Sequence, residues 1–391
     1  MGALSGIKVL DLSRVLAGPW ASQLLADMGA GVIKVENPRH GDDTRRWGPP
    51  WTGTDSGESA YYLCANRGKR SVTLDLKSDE GRAALYKLVA QADVLLENFK
   101  AGATSKLGID YETLAARNSR LVYCSITGFG QTGPYRELPG YDFLVQAMGG
   151  LMSVTGERDG EPGGGPQKIG VALSDILTGL YASNGILAAL HERASSGRGQ
   201  YIDVSLLDVT AACLANQATN YLVGGVVPGR LGNAHPNIVP YQSFTTADGH
   251  FILAVGNDSQ FSRLCEIVDR SDLALDPAYS TNAARVANRD SLIAQLNPVF
   301  EQHTSSHWLA ACQASGVPAG PINTIDEVFA NEQVRAREMI VEMNHPENGA
   351  LSLVGNPLKF SRTPVEYQRP PPLLGEHNDE VLNSPRVQAE A

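Results

Sequence analysis

The sequence predicts an α/β fold with a mostly parallel sheet covered by helices on both faces. Three observations predict it. Short apolar runs rich in β-branched residues recur, segments with helical spacing separate them, and the runs are apolar throughout, as strands buried on both faces are.

GIKVLDLS supplies the first strand, GPWASQLLADMGA a helix and GVIKVE the second strand, so residues 6–36 form a βαβ unit. Pro19 has no N–H to lose in a first helical turn, and Gly29 suits a helix C-terminus. The pattern repeats with SVTLDL as a strand, Ser78 as an N-cap, Asp79 and Glu80 in the first turn, a helix to about Ala92, and DVLLENF as the next strand. LVYCSI adds a further buried strand. From about Gly140 to Arg193 the chain reads as helical. Gly179 and Gly185, within SDILTGLYASNGILAALHER, imply tight packing or a functional demand, because glycine weakens a helix.

Near Gly224 the texture changes to a Gly/Pro loop, GGVVPGRLGNAHPNIVPYQ, followed by FTTADGHFILAV, whose Asp248-Gly249 pair between apolar runs signals a hairpin. Helices follow near 258–269, 288–300 and 305–314, and SGVPAGPI is expected to return the chain toward the first domain. The expected organisation is therefore a large domain over 1–224, a smaller α+β domain over 225–320, and a return to the large domain with a C-terminal tail over 321–391. The tail is proline-rich from Pro364, with a polar end expected to fray.

Composition narrows the function classes. A net charge of −10 opposes general nucleic-acid binding, which needs a basic face. No stretch reads as the roughly 20 apolar residues of a membrane span, so neither nucleic acid nor membrane is expected as a partner, and a cytoplasmic location is expected. Cys64, Cys124, Cys213, Cys265 and Cys312 are odd in number and form no C-x-x-C pair, and the eight histidines show no metal spacing, so no metal is expected.

Gly128-Phe129-Gly130-Gln131-Thr132-Gly133 fits G-x-G-x-x-G after a strand, but Pro134, Pro139 and Gly140 break the helix a pyrophosphate needs, which argues against a nicotinamide site. Cations gather in loops near strand ends: Arg39, Arg45 and Arg46; Arg67, Lys69 and Arg70; Lys100 and Lys106. In open α/β sheets ligands bind beyond the carboxyl ends of strands, so these groups could converge on one polyanion; a solvated loop fits them as well.

These residues carry a family resemblance. VLDLSRVLAGP, GAGVIKVENP, ANRGKRSVTLDLK, ADVLLENF with GATSKLG, ITGFGQTGPY, GVALSDILTG, SGRGQYIDVSLLD and PLLGEHNDEVL together resemble the class III CoA-transferases over about Ile7–His377. RLGNAHPNIVPYQSF, SGVPAGPIN and RPPPLLGEH are similar to the succinate–hydroxymethylglutarate CoA-transferase branch. The resemblance implies a Rossmann-like large domain, an interlaced homodimer and a site near the domain and subunit boundary. It also implies CoA transfer from a short dicarboxylyl-CoA such as succinyl-CoA to a dicarboxylic acid such as glutarate or hydroxymethylglutarate. Acyl-CoA and carboxylic acid are then the substrates, with no separate cofactor.

By the same resemblance the catalytic aspartate falls on Asp175, and CoA contacts fall on Val15, Leu16, Ala17, Asn66, Arg67, Lys69, Asn98, Phe99, Lys106 and Tyr141. The formyl-CoA transferase arginine is Asn37 here, and Arg39 is the expected substitute. His235, Asn237, Tyr241 and Gln242, in the branch-specific loop, are expected to read the distal carboxylate of the substrate, which needs hydrogen-bond donors. Gly224–Gly232 is the lid candidate. The alternatives are an acyl-CoA racemase and a non-catalytic acyl-CoA-binding protein. Racemases of the superfamily carry a histidine in G-H-D where this chain has Gly140-Tyr141-Asp142, and a tyrosine is a poor base near neutral pH. Asp175 also suits a plain helix first turn, but a carboxylate that is ionised without a partner base is what a covalent CoA relay needs.

Overall fold

A computed structural model describes residues 1–53 and 57–383; the polar end of the tail, 384–391, lies outside the described residues. The chain forms two compact units. One comprises Met1–Leu151, Ile169–Gly224 and the chain from Glu332 onward; the other comprises Met152–Lys168 and Gly225–Asn331.

The first unit is built on six parallel strands: β1 (Lys8–Asp11), β2 (Gly31–Glu36), β3 (Lys69–Thr73), β4 (Val94–Glu97), β5 (Val122–Thr127) and β6 (Tyr201–Ser205). The spatial order is β3-β2-β1-β4-β5-β6. The sheet thus grows in opposite directions from β1 and β4, and the crevice beyond their carboxyl ends is where doubly wound sheets bind ligands.

Its helices are α1 (Ala17–Asp27), α2 (Ala60–Leu63), α3 (Asp79–Val89), α4 (Ala103–Leu107), α5 (Tyr111–Ala115), α6 (Asp142–Met148), α7 (Leu173–Ser196), α8 (Leu206–Cys213) and α9 (Ala215–Gly224). Period-two alternation sorts the strand residues between the faces. Val9, Val32, Val94, Leu96 and Val122 pack with Ala21 and Leu25 of α1, Ala182 and Ile186 of α7, and Val209 of α8. Leu10, Val35, Val72, Leu95 and Tyr123 pack with Leu85, Leu88 and Val89 of α3 and Leu114 of α5. Ser78 caps α3, accepting from the Gly81 N–H, and Asn118 Nδ2 donates to the carbonyls of Val89 and Ala92 where that helix ends.

The span from Gly140 to Arg193 is not one helical stretch. After α6 the chain runs through a 3-10 turn at Leu151–Ser153 and an irregular segment before α7. Gly156, Gly160, Gly163 and Gly165 there adopt positive φ, and with Pro162 and Pro166 they forbid a helix. Among the described residues one helix, α7, is long and apolar enough to cross a membrane, which amends the reading that no stretch approaches a span. One face of it packs into the core, with Ala182 and Ile186 fully buried.

In the second unit, β7 (Tyr241–Thr246) and β8 (Gly249–Ala254) make the expected hairpin. SGVPAGPI does not return the chain to the first unit. It forms β9 (Ala319–Pro321), antiparallel to β8, and the chain stays in the second unit to Asn331. Helices α10 (Asp258–Ile267), α11 (Ser271–Leu275), α12 (Asn282–Ala287), α13 (Arg289–Phe300) and α14 (Ser305–Ala314) enclose a separate core around Phe244, Phe251, Phe261, Phe300 and Trp308. Back in the first unit, β10 (Ile340–His345) and β11 (Gly349–Val354) form a hairpin that sequence patterning does not reveal. The helix Asn378–Leu382 then closes onto β3, with His377 N–H donating to the Ser71 carbonyl and Asn378 accepting from the Thr73 N–H.

Gly179 answers a packing demand. A Cβ there would lie 2.7 Å from the Ala17 carbonyl oxygen and 3.2 Å from Trp20, so α1 and α7 touch backbone to backbone. Gly185 sits in ordinary contact, 3.5 Å from Ile202. Gly179→Ala is therefore expected to destabilise the protein by about 1–3 kcal/mol through overpacking, read as a lowered Tm, whereas Gly185→Ala should leave Tm unchanged or raise it; equal Tm values for the two variants would contradict this packing.

Candidate active site

A cleft of about 310 Å³ opens beyond the carboxyl ends of β1, β4 and β5, at the point where the sheet reverses direction. Arg14, Val15, Leu16 and Ala17 line it from the turn after β1, Asn98, Phe99 and Lys100 from the turn after β4, and Thr127 and Gly128 from the end of β5. Asp43, Arg136, Gly140, Tyr141 and Asp175 are also in the wall. Gly128 and Gly140 are close-packed, since a Cβ on Gly128 would stand 2.5 Å from the Gly140 Cα. The Gly128–Gly133 turn leads into no helix until α6, so its glycines serve this contact and the turn itself.

The turn after β1 is held from below by buried charge. Val15 adopts φ 71°, a left-handed conformation costly for a β-branched residue. Its N–H donates to Asp42 Oδ1 at 3.1 Å, while Lys34 Nζ donates to the Ser13 carbonyl and to Asp42 Oδ2, both at 2.9 Å. Arg14 is clasped by Asn98, whose Oδ1 accepts from the Arg14 N–H at 2.9 Å and whose Nδ2 donates to the Arg14 carbonyl at 2.7 Å. Burial would raise Asp11, but Lys69 and Lys34, with hydrogen bonds from Ser13 and Ser22, hold its carboxyl well below the usual range. Burial would likewise lower Lys34, yet Asp42, Asp11 and Glu36 hold it above its ordinary value.

The sequence-predicted residues divide into three groups. Val15, Leu16, Ala17, Asn98, Phe99, Tyr141 and Asp175 share the cleft. A second cleft of about 350 Å³ shares Arg14 and Phe99 with it and is lined by Asn37, His40, Leu76, Lys77 and Leu107. Arg39 and Lys106 are sequence neighbours of that lining, and the Arg39 N–H donates to Asn37 Oδ1 at 2.9 Å.

Asn66, Arg67 and Lys69 form the second group, with side chains buried and committed to the protein. Lys69 Nζ donates to Asp11 Oδ2, the Pro19 carbonyl and Asn66 Oδ1 at 2.9–3.0 Å, and Arg67 pairs with Asp27 at 2.6 Å. Arg45 is likewise buried, against Glu36 at 2.8 Å and Glu58 at 2.9 Å. Much of the cation-rich loop sequence therefore neutralises carboxylates inside the fold.

The third group lies in the second unit. His235 Nδ1 accepts from the Asn237 N–H at 3.1 Å, and its ring stands 5.2 Å from Tyr241. Burial and nearby Arg289 hold the imidazole below its ordinary pKa. Arg289 donates to the His235 carbonyl at 2.7 Å, and Gln242 lines a cleft of about 600 Å³ with Asn233, Arg158 and Arg289.

Asp175 sits in the first turn of the 24-residue α7, where the helix dipole favours an anion. Burial and then the charge of Asp142 oppose this and push its carboxyl up to about 7. The result is a half-buried carboxylate in a cleft wall, able to act as a nucleophile once ionised. Sequence reasoning missed Arg14, Asp43, Arg136 and Asp142; Arg14 directly precedes Val15, and Asp142 directly follows Tyr141, so adjacency to a motif residue was the available signal for both.

The family model for CoA-transferase family III matches residues 4–378. The chain is 53% identical over 382 residues to a succinate–glutarate CoA-transferase of Agrobacterium fabrum, covering 97% of this chain and 94% of that protein. It is 45% identical over 379 residues to the succinyl-CoA:glutarate CoA-transferase of Homo sapiens, covering 97% of this chain and 85% of that one. A crystal structure of a CAIB/BAIF family protein from Brucella suis superposes with a TM-score of 0.85 at 49% identity, covering 100% of this chain and 99% of that one.

The raised pKa of Asp175 has a signed consequence for stability. Below about pH 4 the group is protonated both folded and unfolded and contributes nothing; between there and about 7 the folded state binds the extra proton, so stability falls as pH rises, and above 7 the full cost of the buried charge is present. Asp175→Asn is expected to be more stable than the parent by about 1–2 kcal/mol at pH 8, after discounting for partial exposure, and no more stable at pH 4. Denaturant midpoints at the two pH values check this, and an equal difference at both would contradict it.

Proposed function

Because the chain belongs to CoA-transferase family III, we propose that it moves CoA from succinyl-CoA to glutarate through a covalent intermediate on Asp175. The placement of Asp175 in the wall of a cleft at the sheet's reversal point carries this reading. The named activities of the two relatives, at 53% and 45% identity, support the choice of acids.

In the proposed route the Asp175 carboxylate attacks the thioester carbonyl, the C–S bond breaks, and an aspartyl–succinyl anhydride and CoA thiolate result. The thiolate then attacks the Asp175 acyl carbon and releases succinate, leaving an aspartyl-CoA thioester. Glutarate repeats both steps in reverse: its carboxylate displaces the thiolate to form a second anhydride, and the thiolate takes the glutaryl group and frees Asp175. One thioester replaces another, so no external energy source is required. A water-poor wall protects the anhydride, and backbone donors can stabilise each tetrahedral oxyanion.

Val15, Leu16, Ala17, Asn98, Phe99 and Tyr141 hold the thioester end of CoA in this reading. Arg39 and Lys106, whose sequence neighbours His40 and Leu107 line the second cleft, serve its phosphates. Lys69, held by Asn66, acts by bracing Asp11 and the start of α1 at Pro19, and Arg67 by anchoring the far end of α1 at Asp27. His235, Asn237, Tyr241 and Gln242 read the distal carboxylate of the acid. The working form is a homodimer, supported by the exposure of Tyr181 of α7 and of Leu222 and Val223 of α9, large apolar side chains that a single chain leaves in water. A cytosolic location accords with five free cysteines.

Incubation with succinyl-CoA and a panel of acids should yield glutaryl-CoA foremost, with product masses as the readout; stereochemical scrambling without transfer would favour a racemase instead. Asp175→Asn should retain CoA binding and lose at least about 10³-fold in kcat. Parent protein with succinyl-CoA alone should gain an aspartyl-CoA adduct mapping to Asp175, and an adduct on another carboxylate would sink the route. His235→Ala should raise the KM for glutarate about 10-fold and that for a monocarboxylate less; equal effects would remove His235 from substrate reading. Light scattering at micromolar concentration should give twice the chain mass.

A further inference from the structure

Gln146 is fully buried on α6, and the hydrogen bonds of its amide run toward the start of α7. Its Nε2 donates to Asp142 Oδ2 at 2.7 Å, one helical turn earlier, and more weakly to the Val171 carbonyl at 3.4 Å. Its Oε1 accepts from the Ile169 N–H at 3.0 Å. Asp142 in turn accepts, on Oδ1, the backbone N–H of Asp175 at 3.2 Å. One amide thus grips both the strand of chain entering α7 and the carboxylate that receives the nucleophile's own N–H. Neither residue belongs to the sets argued above for CoA or acid binding.

We infer that Gln146 and Asp142 are positioning residues for Asp175: Gln146 fixes the Asp142 carboxylate, and Asp142 fixes the first turn of α7 while setting the local field at the nucleophile. The inference rests on the reading of Asp175 as the nucleophile. A purely architectural role for the pair is insufficient, because α6 is already anchored by fully buried Val145, and the start of α7 is already tied to α8 by the Thr210–Ser174 hydrogen bond at 2.8 Å. What Asp142 adds is a second negative charge beside a carboxylate that burial already disfavours as an anion, and among the described residues Asp142 is the charged neighbour that contributes to its raised pKa. Among the described residues, the other charged or titratable groups that share the cleft with Asp175 or act on it are Tyr61 of α2, Tyr141 before α6, Arg14 and Asp43 across the cleft, Lys100 after β4 and Arg136.

The two residues make opposite, signed predictions. Asp142→Asn removes the neighbouring charge, so the acid limb of kcat/KM, which follows ionisation of Asp175 near 7, should move to lower pH by at least about half a unit. Gln146→Glu keeps an acceptor for the Ile169 N–H but adds charge, so the limb should move to higher pH. Each single change also loses a bond, since Gln146→Glu sets two acceptors face to face and Asp142→Asn leaves one acceptor for two donors, Gln146 Nε2 and the Asp175 N–H. A shift of about 1 Å at a nucleophile lowers kcat by about 10²-fold. The double variant carrying both changes restores the bond with donor and acceptor reversed, since the introduced asparagine amide can donate to the introduced glutamate carboxylate, which still accepts from Ile169. Its kcat should recover at least about tenfold over the weaker single variant.

The experiment is the pH profile of kcat/KM and the kcat of these three full-length variants, with far-ultraviolet circular dichroism for folding and mass mapping of the CoA adduct. Opposite limb shifts with recovery in the double variant establish the inference. Unmoved limbs, or no recovery while the adduct still forms on Asp175, overturn it alone. An adduct absent from Asp175 in the parent protein overturns the covalent reading and this inference together. Should Asp142→Asn fail to fold, the limb of the isosteric Gln146→Glu variant and the double variant still decide the matter.

Discussion

Charge without water governs the carboxyl end of the central sheet. Asp11, Lys34, Glu36, Asp42, Arg45 and Lys69 are each at most 9% exposed, and three ion pairs at 2.8–3.0 Å join them. Such pairs add little net stability over an apolar core, because desolvation offsets attraction, but removing one partner strands the other at a cost of about 3–5 kcal/mol. Their effect is on geometry. The same atoms that neutralise each other also reach the Ser13 carbonyl, the Val15 N–H and the Pro19 carbonyl, so the turn after β1 keeps a conformation its side chains would not choose. Binding energy for a ligand in the cleft then need not be spent on ordering that turn.

The fold is legible where one physical signal dominates. Apolar runs mark β1 to β5, and the Asp248-Gly249 turn marks the hairpin of β7 and β8, because strands buried on both faces and tight turns leave strong local signatures. The segment between Gly140 and α7 misleads even though its glycines and prolines are plain in the sequence, because helical spacing on either side suggests a continuity that the backbone does not have. The path of SGVPAGPI has no local signature, since strand pairing of Ala319–Pro321 depends on a partner more than sixty residues earlier in the chain. β10 and β11 leave a weak mark because far more of their residues face solvent than core.

For the site, motif resemblance locates the cleft walls, and the structure supplies what a motif cannot. It separates cations that face the cleft from cations that neutralise the interior: Arg14 stands at the cleft, whereas Arg45, Arg67 and Lys69 are buried. Sequence carries the charge of each and not its burial. The same limit hides Gln146, an ordinary helix residue until α6 is packed against the chain leading to α7.

The closure of the first unit by its distant C-terminal segment fixes the order in which the interior can be completed during synthesis. Arg45 and Tyr62 both donate to the Pro372 carbonyl, and Ser71 meets Gly375 and His377, across separations of 304 to 327 residues. Until residues 372–377 have been synthesised, the first βαβ units hold these groups without those partners. Contacts of such long range are formed late in folding. A chain cut short before residue 372 lacks the acceptor that seals Arg45 beneath it.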